Sequence, residues 1–321
     1  MSGRAGILDL GTHSLLLLVA EPGENHSVRV LFENRYAVGL GRNLRRNRRI
    51  SGSAAARALS ALNRAKKDAR QWEPLDWILV GTQVFREAEN RNELFEAIRS
   101  GPGLSVEVLS EQEEAFWSFS GVNTGCKAPK GVLDIGGGST EWAWGNSAKL
   151  QDSISIPAGA SVLTDQWLAH DPPAAEEIER LQKEVRALIE AAKSPPPVSW
   201  TGVGGTLTTL AALKIGLKRY AANAVEGTEL SRHEVGRAVR QLGLLSLEER
   251  RQRLSVEPDR AEIILAGGVI LLTWMETLGV NTIRVSHRGL RHGIALRHFS
   301  SSPRKRGFRL KDQTRGWRPN Q

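Results

Sequence analysis

Two short stretches of this chain carry the same chemical groups in the same order. Near the N-terminus, GILDLGTHS ends an apolar run in Asp9 and follows it with Gly11, Thr12 and Ser14. Farther along, GVLDIGGGST ends an apolar run in Asp134 and follows it with Gly136, Gly137, Gly138, Ser139 and Thr140. Glycines let the backbone approach a ligand closely, and successive N–H groups can converge on phosphate oxygens. A carboxylate at a strand end can hold Mg2+, which favours carboxylate, water and phosphate oxygens. Two such loops facing each other would clamp a phosphate chain and its metal. Alone, DLGTHS reads equally well as a glycine-bearing hairpin with an Asx turn and DIGGGST less readily so, and the pair is much more specific. Neither is a Walker loop, because no GK[ST] follows, and GGGS leads into a strand rather than the helix of a Rossmann turn.

A third glycine segment, SWTGVGGTLTTLAAL at 199–213, reads as strand, GGT, helix. Gly204, Gly205 and Thr206 would place N–H groups at a helix N-terminus, where the dipole favours an anion or the edge of a nucleotide. The alternative is a tight turn with Thr206 as N-cap.

Elements of two kinds are needed to hold these loops. Residues 5–10, 15–21 and 27–33 read as strands, 53–72 as a helix with Ala55, Leu59, Leu62 and Ala65 at helical spacing, and DWILV as a strand. A helix over 89–99, a strand in LSVEVLS and a helix over 111–121 follow, which predicts a mixed sheet with crossover helices. After the connection NTGCKAPKG the opening logic starts again. This weak internal repeat predicts two related α/β domains facing one another, 1–122 and 123–302. Helices are predicted over 174–193, 206–216, 231–244 and 259–278, with capping boxes at Ser231/Glu234 and Ser246/Glu249.

The chain has 321 residues, 40% of them hydrophobic and 25% charged, and a formal charge of +9. Arg42, Arg45, Arg46, Arg48 and Arg49 supply +5 and the tail from Ser300 to Gln321 a further +6, leaving about −2 elsewhere. The arginine run reads either as a positive track for a long anion or as a solvated loop. The basic tail, 303–321, reads as solvated and disordered rather than as a nucleic-acid interface. Cys126 is the single cysteine, which excludes a disulfide framework and a thiol metal cluster. The start lacks a charged segment ahead of a long apolar run, and LLLLV is too short to span a bilayer, so a cytoplasmic protein with no membrane partner is expected. The nine tryptophans are expected mainly in cores or interfaces.

The order of the three glycine segments resembles the phosphate-one, phosphate-two and adenosine motifs of the actin, sugar kinase and chaperone ATPase superfamily. VGTQVFREAENRNELF, VEVLSEQEEAFWSFSGV, GVLDIGGGSTEW, LSLEERR, PDRAEIILAGGVIL and IRVSHRGLRHGIAL together resemble the exopolyphosphatase and guanosine pentaphosphate phosphohydrolase family, from about Gly6 to Arg297. The resemblance implies an α/β fold of two actin-like (ribonuclease H-like) domains with the active site in the cleft between them. It implies Mg2+-dependent release of terminal phosphate from inorganic polyphosphate or pppGpp, by a homodimer. Glu114 matches the family's catalytic glutamate and Arg86 the arginine that faces the substrate phosphates; Asp9 and Asp134 would position Mg2+. Local spacing separates Glu114 from its neighbours, because a Ser110/Glu113 capping box would occupy Glu113 and leave Glu114 about 100° farther round the helix.

Departures from the family's pattern occur at His13, often Asn or Ser; at Phe116, commonly Arg; in YAVGLGRN, which lacks the usual basic residue; in VEGTEL, where the pattern is VHGYRL; and at His287, usually an acid. They bear on turnover and substrate preference. A sensor that binds polyphosphate or pppGpp without hydrolysis and an ATP-dependent kinase of a small metabolite are the alternatives.

Overall fold

The computed structural model describes residues 3–24, 27–42, 44–122, 131–146, 149–196, 198–219 and 221–301. The connection with Cys126 and the basic tail with Trp317 lie outside the described residues. Two sheets carry the fold. The first is built from β1 (Ala5–Leu10), β2 (Ser14–Pro22), β3 (Val28–Ala37), β4 (Asp76–Gly81) and β5 (Val106–Val108), in the order β3-β2-β1-β4-β5. The second contains β6 (Gly131–Ile135), β7 (Thr140–Asn146), β8 (Lys149–Ile156), β9 (Trp200–Val203), β10 (Glu229–Ser231) and β11 (Thr282–Val285), in the order β10-β11-β9-β6-β7-β8.

The repeat is far clearer in topology than in sequence. In each sheet an antiparallel meander is followed by parallel strands added on the other side of its first strand: β1 pairs with β2 antiparallel and β4 parallel, and β6 pairs with β7 antiparallel and β9 parallel. The central strands β1 and β6 are almost wholly buried, which is why they read as continuous apolar runs broken only by Asp9 and Asp134. Even the turns match, with Gly11 N–H donating to Ser14 O and Gly136 N–H to Ser139 O, both at 3.0 Å. β10 is the addition to the second half.

Each sheet is also covered by a helix that the chain order assigns to the other half. The helix Glu111–Val122 leaves the first sheet and packs Ala115, Phe119 and Val122 against Val132, Ala143 and Val203 of the second. The C-terminal helix Leu290–Ser301 returns the exchange, with Leu290, Ile294 and Ala295 on Ala5, Ile7, Leu18 and Val80. The two helices cross at backbone distance: a Cβ on Gly121 would fall 2.0 Å from Gly289 O, and one on Gly293 2.0 Å from Trp117 O.

The remaining helices stay on their own sheets. Gly52–Asp68 buries Ala54, Ala58, Ala61, Leu62 and Ala65, and Ser51 caps its start. The capping boxes at Ser231/Glu234 and Ser246/Glu249 begin the helices Arg232–Gly243 and Leu247–Arg253. The helix predicted over 259–278 is shorter, Ile264–Thr277, because Pro258–Arg260 forms a 3-10 turn ahead of it. Its apolar surface is buried on nearly all sides, and Trp274 stands edge-on to Trp200 at 4.8 Å in the second core. Among the described residues no helix is long and apolar enough to cross a membrane.

Candidate active site

The ends of β1 and β6 face one cavity of about 380 Å³ between the two sheets. Its wall includes Asp9, Gly11, Thr12 and Ser14 from the first half and Asp134, Gly136, Gly137, Gly138 and Ser139 from the second, with Gly204, Gly205, Thr206 and Glu114. The three glycine segments therefore converge. The first two loops touch: a Cβ on Gly138 would lie 1.9 Å from Gln83 Oε1 and 2.8 Å from Thr12 Oγ1, so a side chain there would have to displace both. Gly136 O and Gly137 O accept the N–H groups of Ala160 and Ser161 at 2.9 and 2.8 Å, which seats the helix Ala160–Trp167 against the second loop. Thr140 does not reach the cavity; its hydroxyl donates to Ala158 O at 2.5 Å and ties the strand after the loop to the segment after β8.

Thr206 is not the N-cap of its helix. Gly204–Ile215 starts two residues earlier, after Val203, and Gly204 takes a φ of +84°. The Arg260 guanidinium lies on Gly205, where a Cβ would fall 1.7 Å from Cζ. Arg260 is held by Glu257 at 3.3 Å, and Glu257 also receives the Thr209 hydroxyl at 2.6 Å. From across the cleft, Arg35 approaches the same carboxylate at 3.6 Å.

The acidic centre is buried. Burial pushes Asp9 up to about 7, opposed by Arg291 and reinforced by Asp134. Burial likewise raises Asp134, while the Ser118 hydroxyl, donating to Oδ2 at 3.0 Å, lowers it. Glu114 is raised to about 7, burial being the largest cause and Arg86 the main opposing one. The Ser110/Glu113 capping box forms as expected, with Ser110 N–H donating to Glu113 Oε2 at 2.9 Å and Glu113 N–H to Ser110 Oγ at 3.3 Å. Glu114 is consequently directed inward.

Arg86 lies outside the cavity wall. Its Nη1 donates to Glu114 Oε2 at 2.9 Å and to Leu109 O at 2.7 Å, so it grips Glu114 and the start of that helix, while its Nη2 is buried without a partner among the described residues. A fourth carboxylate, Glu141, was not singled out by the sequence reading. It is the cross-strand partner of Asp134, is 4% exposed, and accepts the Ser155 hydroxyl at 3.0 Å. Burial raises its pKa well above the ordinary value, with Glu114 and Asp134 adding to the effect. The signal was hidden because β7 is buried on both faces and shows no alternation.

Several buried polar atoms around the cavity have no hydrogen-bond partner among the described residues: Asp9 Oδ1, His13 Nε2, Ser14 Oγ and Gln83 Oε1. Buried polar groups are ordinarily paired, so their concentration here marks ground built for a polar ligand.

The arginine run is solvent-exposed, but Arg42, Arg45, Arg48 and Arg49 are paired rather than bare. Arg42 donates to Glu262 Oε1 at 2.8 Å and Arg45 to Pro157 O at 2.5 Å, both across the cleft; Arg48 and Arg49 pair with Glu89 and Glu93 at 2.7 and 2.9 Å. Two departures from the family pattern also meet. Glu226 of VEGTEL and His287 of SHRGLRHG lie 2.7 Å apart, and Glu226 further accepts the Ser286 hydroxyl and His287 N–H at 3.0 Å. These contacts anchor the segment that leads through Arg288 into the C-terminal helix, where Arg291 also reaches the cavity wall.

The profile of the Ppx/GppA phosphatase family matches residues 18–302. Exopolyphosphatase 2 of Mycobacterium tuberculosis is 29% identical over 316 residues, covering 91% of this chain and 98% of its own length. The crystal structure of the Aquifex aeolicus member of that family is 30% identical, covers 92% of this chain and 97% of its own, and gives a TM-score of 0.75. An exopolyphosphatase from Cytophaga hutchinsonii gives 0.82 at 25% identity, covering 91% and 96%. The paired sheets are the two-domain, actin-like α/β architecture expected from the sequence.

Proposed function

Because this chain belongs to the Ppx/GppA phosphatase family, we propose that it is a phosphohydrolase that releases terminal phosphate from inorganic polyphosphate or pppGpp. The observation that carries this reading is the meeting of two glycine loops with a buried carboxylate, Glu114, raised to about 7 in one cavity. Phosphoryl transfer asks a protein mainly to position groups and to stabilise charge. Here Gly11, Thr12 and Ser14 on one side and Gly136, Gly137, Gly138 and Ser139 on the other would hold the terminal phosphoryl group, with Thr140 bracing its loop from behind. Gly204, Gly205 and Thr206 would take the next part of the chain.

Glu114 acts as the base. A group titrating near neutral pH combines a usable ionised fraction with a useful affinity for a proton. With Oε2 held by Arg86, the proton of the attacking water goes to Oε1. The new P–O bond forms at the terminal phosphorus, the bond to the bridging oxygen breaks, and the shortened chain leaves as an anion that needs no proton. Arg86 keeps Glu114 aligned and offsets its burial.

Mg2+ belongs to this reading. Among the described residues no three His, Cys, Asp or Glu side chains form a ready-made metal cage, but Mg2+ is commonly held by one or two carboxylates together with phosphate and water. Asp9 and Asp134 fit that role, directly or through water: Asp9 Oδ1 is buried without a partner among the described residues, and each carboxylate is held above its ordinary pKa by burial. The ion would neutralise charge on the phosphoryl oxygens. The working form is read as a homodimer.

Phosphate release from long-chain polyphosphate and from pppGpp, measured in parallel with Mg2+ and with EDTA and beside Glu114→Ala, tests the reading. Metal-dependent release lost in the variant supports it and ranks the substrates. Tight binding of either compound without release assigns a sensor instead.

A further inference from the structure

The helix Glu111–Val122 carries two active-site contacts on one face. Glu114 and Ser118 are four positions apart, about one turn of helix, so their side chains leave the same side. Glu114 reaches the cavity wall, with its Oε2 held by Arg86 at 2.9 Å. Ser118 is 2% exposed, and its hydroxyl donates to Asp134 Oδ2 at 3.0 Å. That bond ties the helix to the central strand β6, beside the packing of Ala115, Phe119 and Val122 on Val132, Ala143 and Val203. On its other side Asp134 meets the third glycine segment: a Cβ on Gly204 would fall 2.7 Å from Oδ1.

The strand alone does not fix this carboxylate. Backbone and first side-chain torsion place its carbon, but the terminal torsion of an aspartate is broad and roughly two-fold, so the plane of the two oxygens is set by what they touch. The Ser118 hydroxyl commits Oδ2 to the helix and leaves Oδ1 on the Gly204 side of the cavity wall. Asp9, the matching residue of the first half, differs in that its Oδ1 is buried without a partner among the described residues. The support for Asp134 comes from the same rigid element that carries Glu114, which sets the spacing between the two carboxylates. Hydrogen-bond partners that orient a metal-binding carboxylate are worth about 10–100-fold in metal affinity.

We propose that Ser118 is a positioning residue of the metal site: by fixing the plane of Asp134 from the helix that carries Glu114, it sets how Asp134 is offered to Mg2+ relative to the base. The inference rests on the phosphohydrolase reading and on the role given there to Asp134, and it adds a residue that touches neither substrate nor metal. Its action runs through orientation, because a serine hydroxyl brings no charge to the site. Alanine keeps nearly the volume of serine and removes the donor, whereas threonine retains the hydroxyl.

The test uses the full chain without substrate and Mn2+ as the probe, with the bound ion followed by electron paramagnetic resonance. Beside it stands the Mg2+ concentration that half-saturates phosphate release from polyphosphate. Ser118→Ala weakens Mn2+ binding about tenfold and raises the half-saturating Mg2+ by a similar factor, while Ser118→Thr stays within about threefold of the parent in both measurements. At saturating Mg2+ the limb of the Ser118→Ala pH–rate profile near 7 stays in place, because Glu114 keeps its bond with Arg86; a helix that had merely loosened would move it. Mn2+ binding by Ser118→Ala within about twofold of the parent, an equal loss in Ser118→Thr, or a displaced limb overturns the proposal. So does a parent that releases phosphate with Mg2+ but does not bind Mn2+, and each of these outcomes leaves the phosphohydrolase reading in place. A parent that releases no phosphate overturns both.

Discussion

Replacing Asp9 with Asn should make the metal-free protein more stable at pH 8, although it removes a residue from the centre of the cleft. Asp9 is partly buried, with Oδ1 shielded from solvent, and desolvation raises its pKa from 3.8 to about 7. Each pKa unit corresponds to 1.36 kcal/mol, so keeping this carboxyl ionised costs the fold about 4 kcal/mol at pH 8. Relaxation around the site lowers the measurable part to about 2–4 kcal/mol, equivalent to roughly 3–6 °C in a chain of this length. The sign follows from linkage. A carboxyl whose folded pKa lies above its unfolded one binds its proton more tightly in the fold, so wild-type stability falls as pH rises from about 4 to about 7. Asn carries no such penalty. Thermal melts of both proteins in EDTA between pH 4 and pH 8 should therefore coincide at the acid end and diverge with the variant higher at pH 8. Added Mg2+ should raise the wild type more than the variant and narrow the gap. A variant that melts lower at pH 8, or a gap that does not change with pH, would show that burial does not dominate the energetics of Asp9.

Other substitutions follow from the same geometry. Glu114→Gln should lower kcat by about 10²–10⁴-fold with little change in KM, and should remove the limb of the pH–rate profile near 7, where wild-type kcat/KM rises as Glu114 loses its proton. Arg42→Ala breaks an exposed pair with Glu262, so chemical denaturation should show a loss below about 1 kcal/mol that disappears in about 1 M salt. Glu226→His and His287→Glu should each lower the melting midpoint by placing like groups together, and the double substitution should recover at least half of the loss.

The parts of the site legible in sequence are those written into contiguous residues. GILDL and GVLDI are strands because central strands covered on both faces are apolar throughout, and the carboxylate that interrupts each run lands at the cleft. Ser110 with Glu113 fixed the start of a helix, and with it the direction of Glu114. What remained hidden depends on residues distant in the chain. Nothing near Arg86 indicates that its partner is 28 positions away, and nothing near Arg42 points to Glu262. The exchange of Glu111–Val122 and Leu290–Ser301 between the sheets is set by a crossing at Gly121 and Gly293, two small residues with no local signature. Glu226 and His287 looked like separate departures from a family pattern until the structure placed them in contact.

Hydrolysis at the end of a phosphate chain can be followed atom by atom. The decisive experiment is turnover of long-chain polyphosphate in water enriched in 18O, with mass analysis of the orthophosphate released. Attack by a water that Glu114 deprotonates, at the terminal phosphorus, places one 18O in each orthophosphate, and Glu114→Gln slows that labelling in step with release. Unlabelled orthophosphate, or label appearing only in shortened chains, would mean that water does not attack the phosphorus held between the two loops.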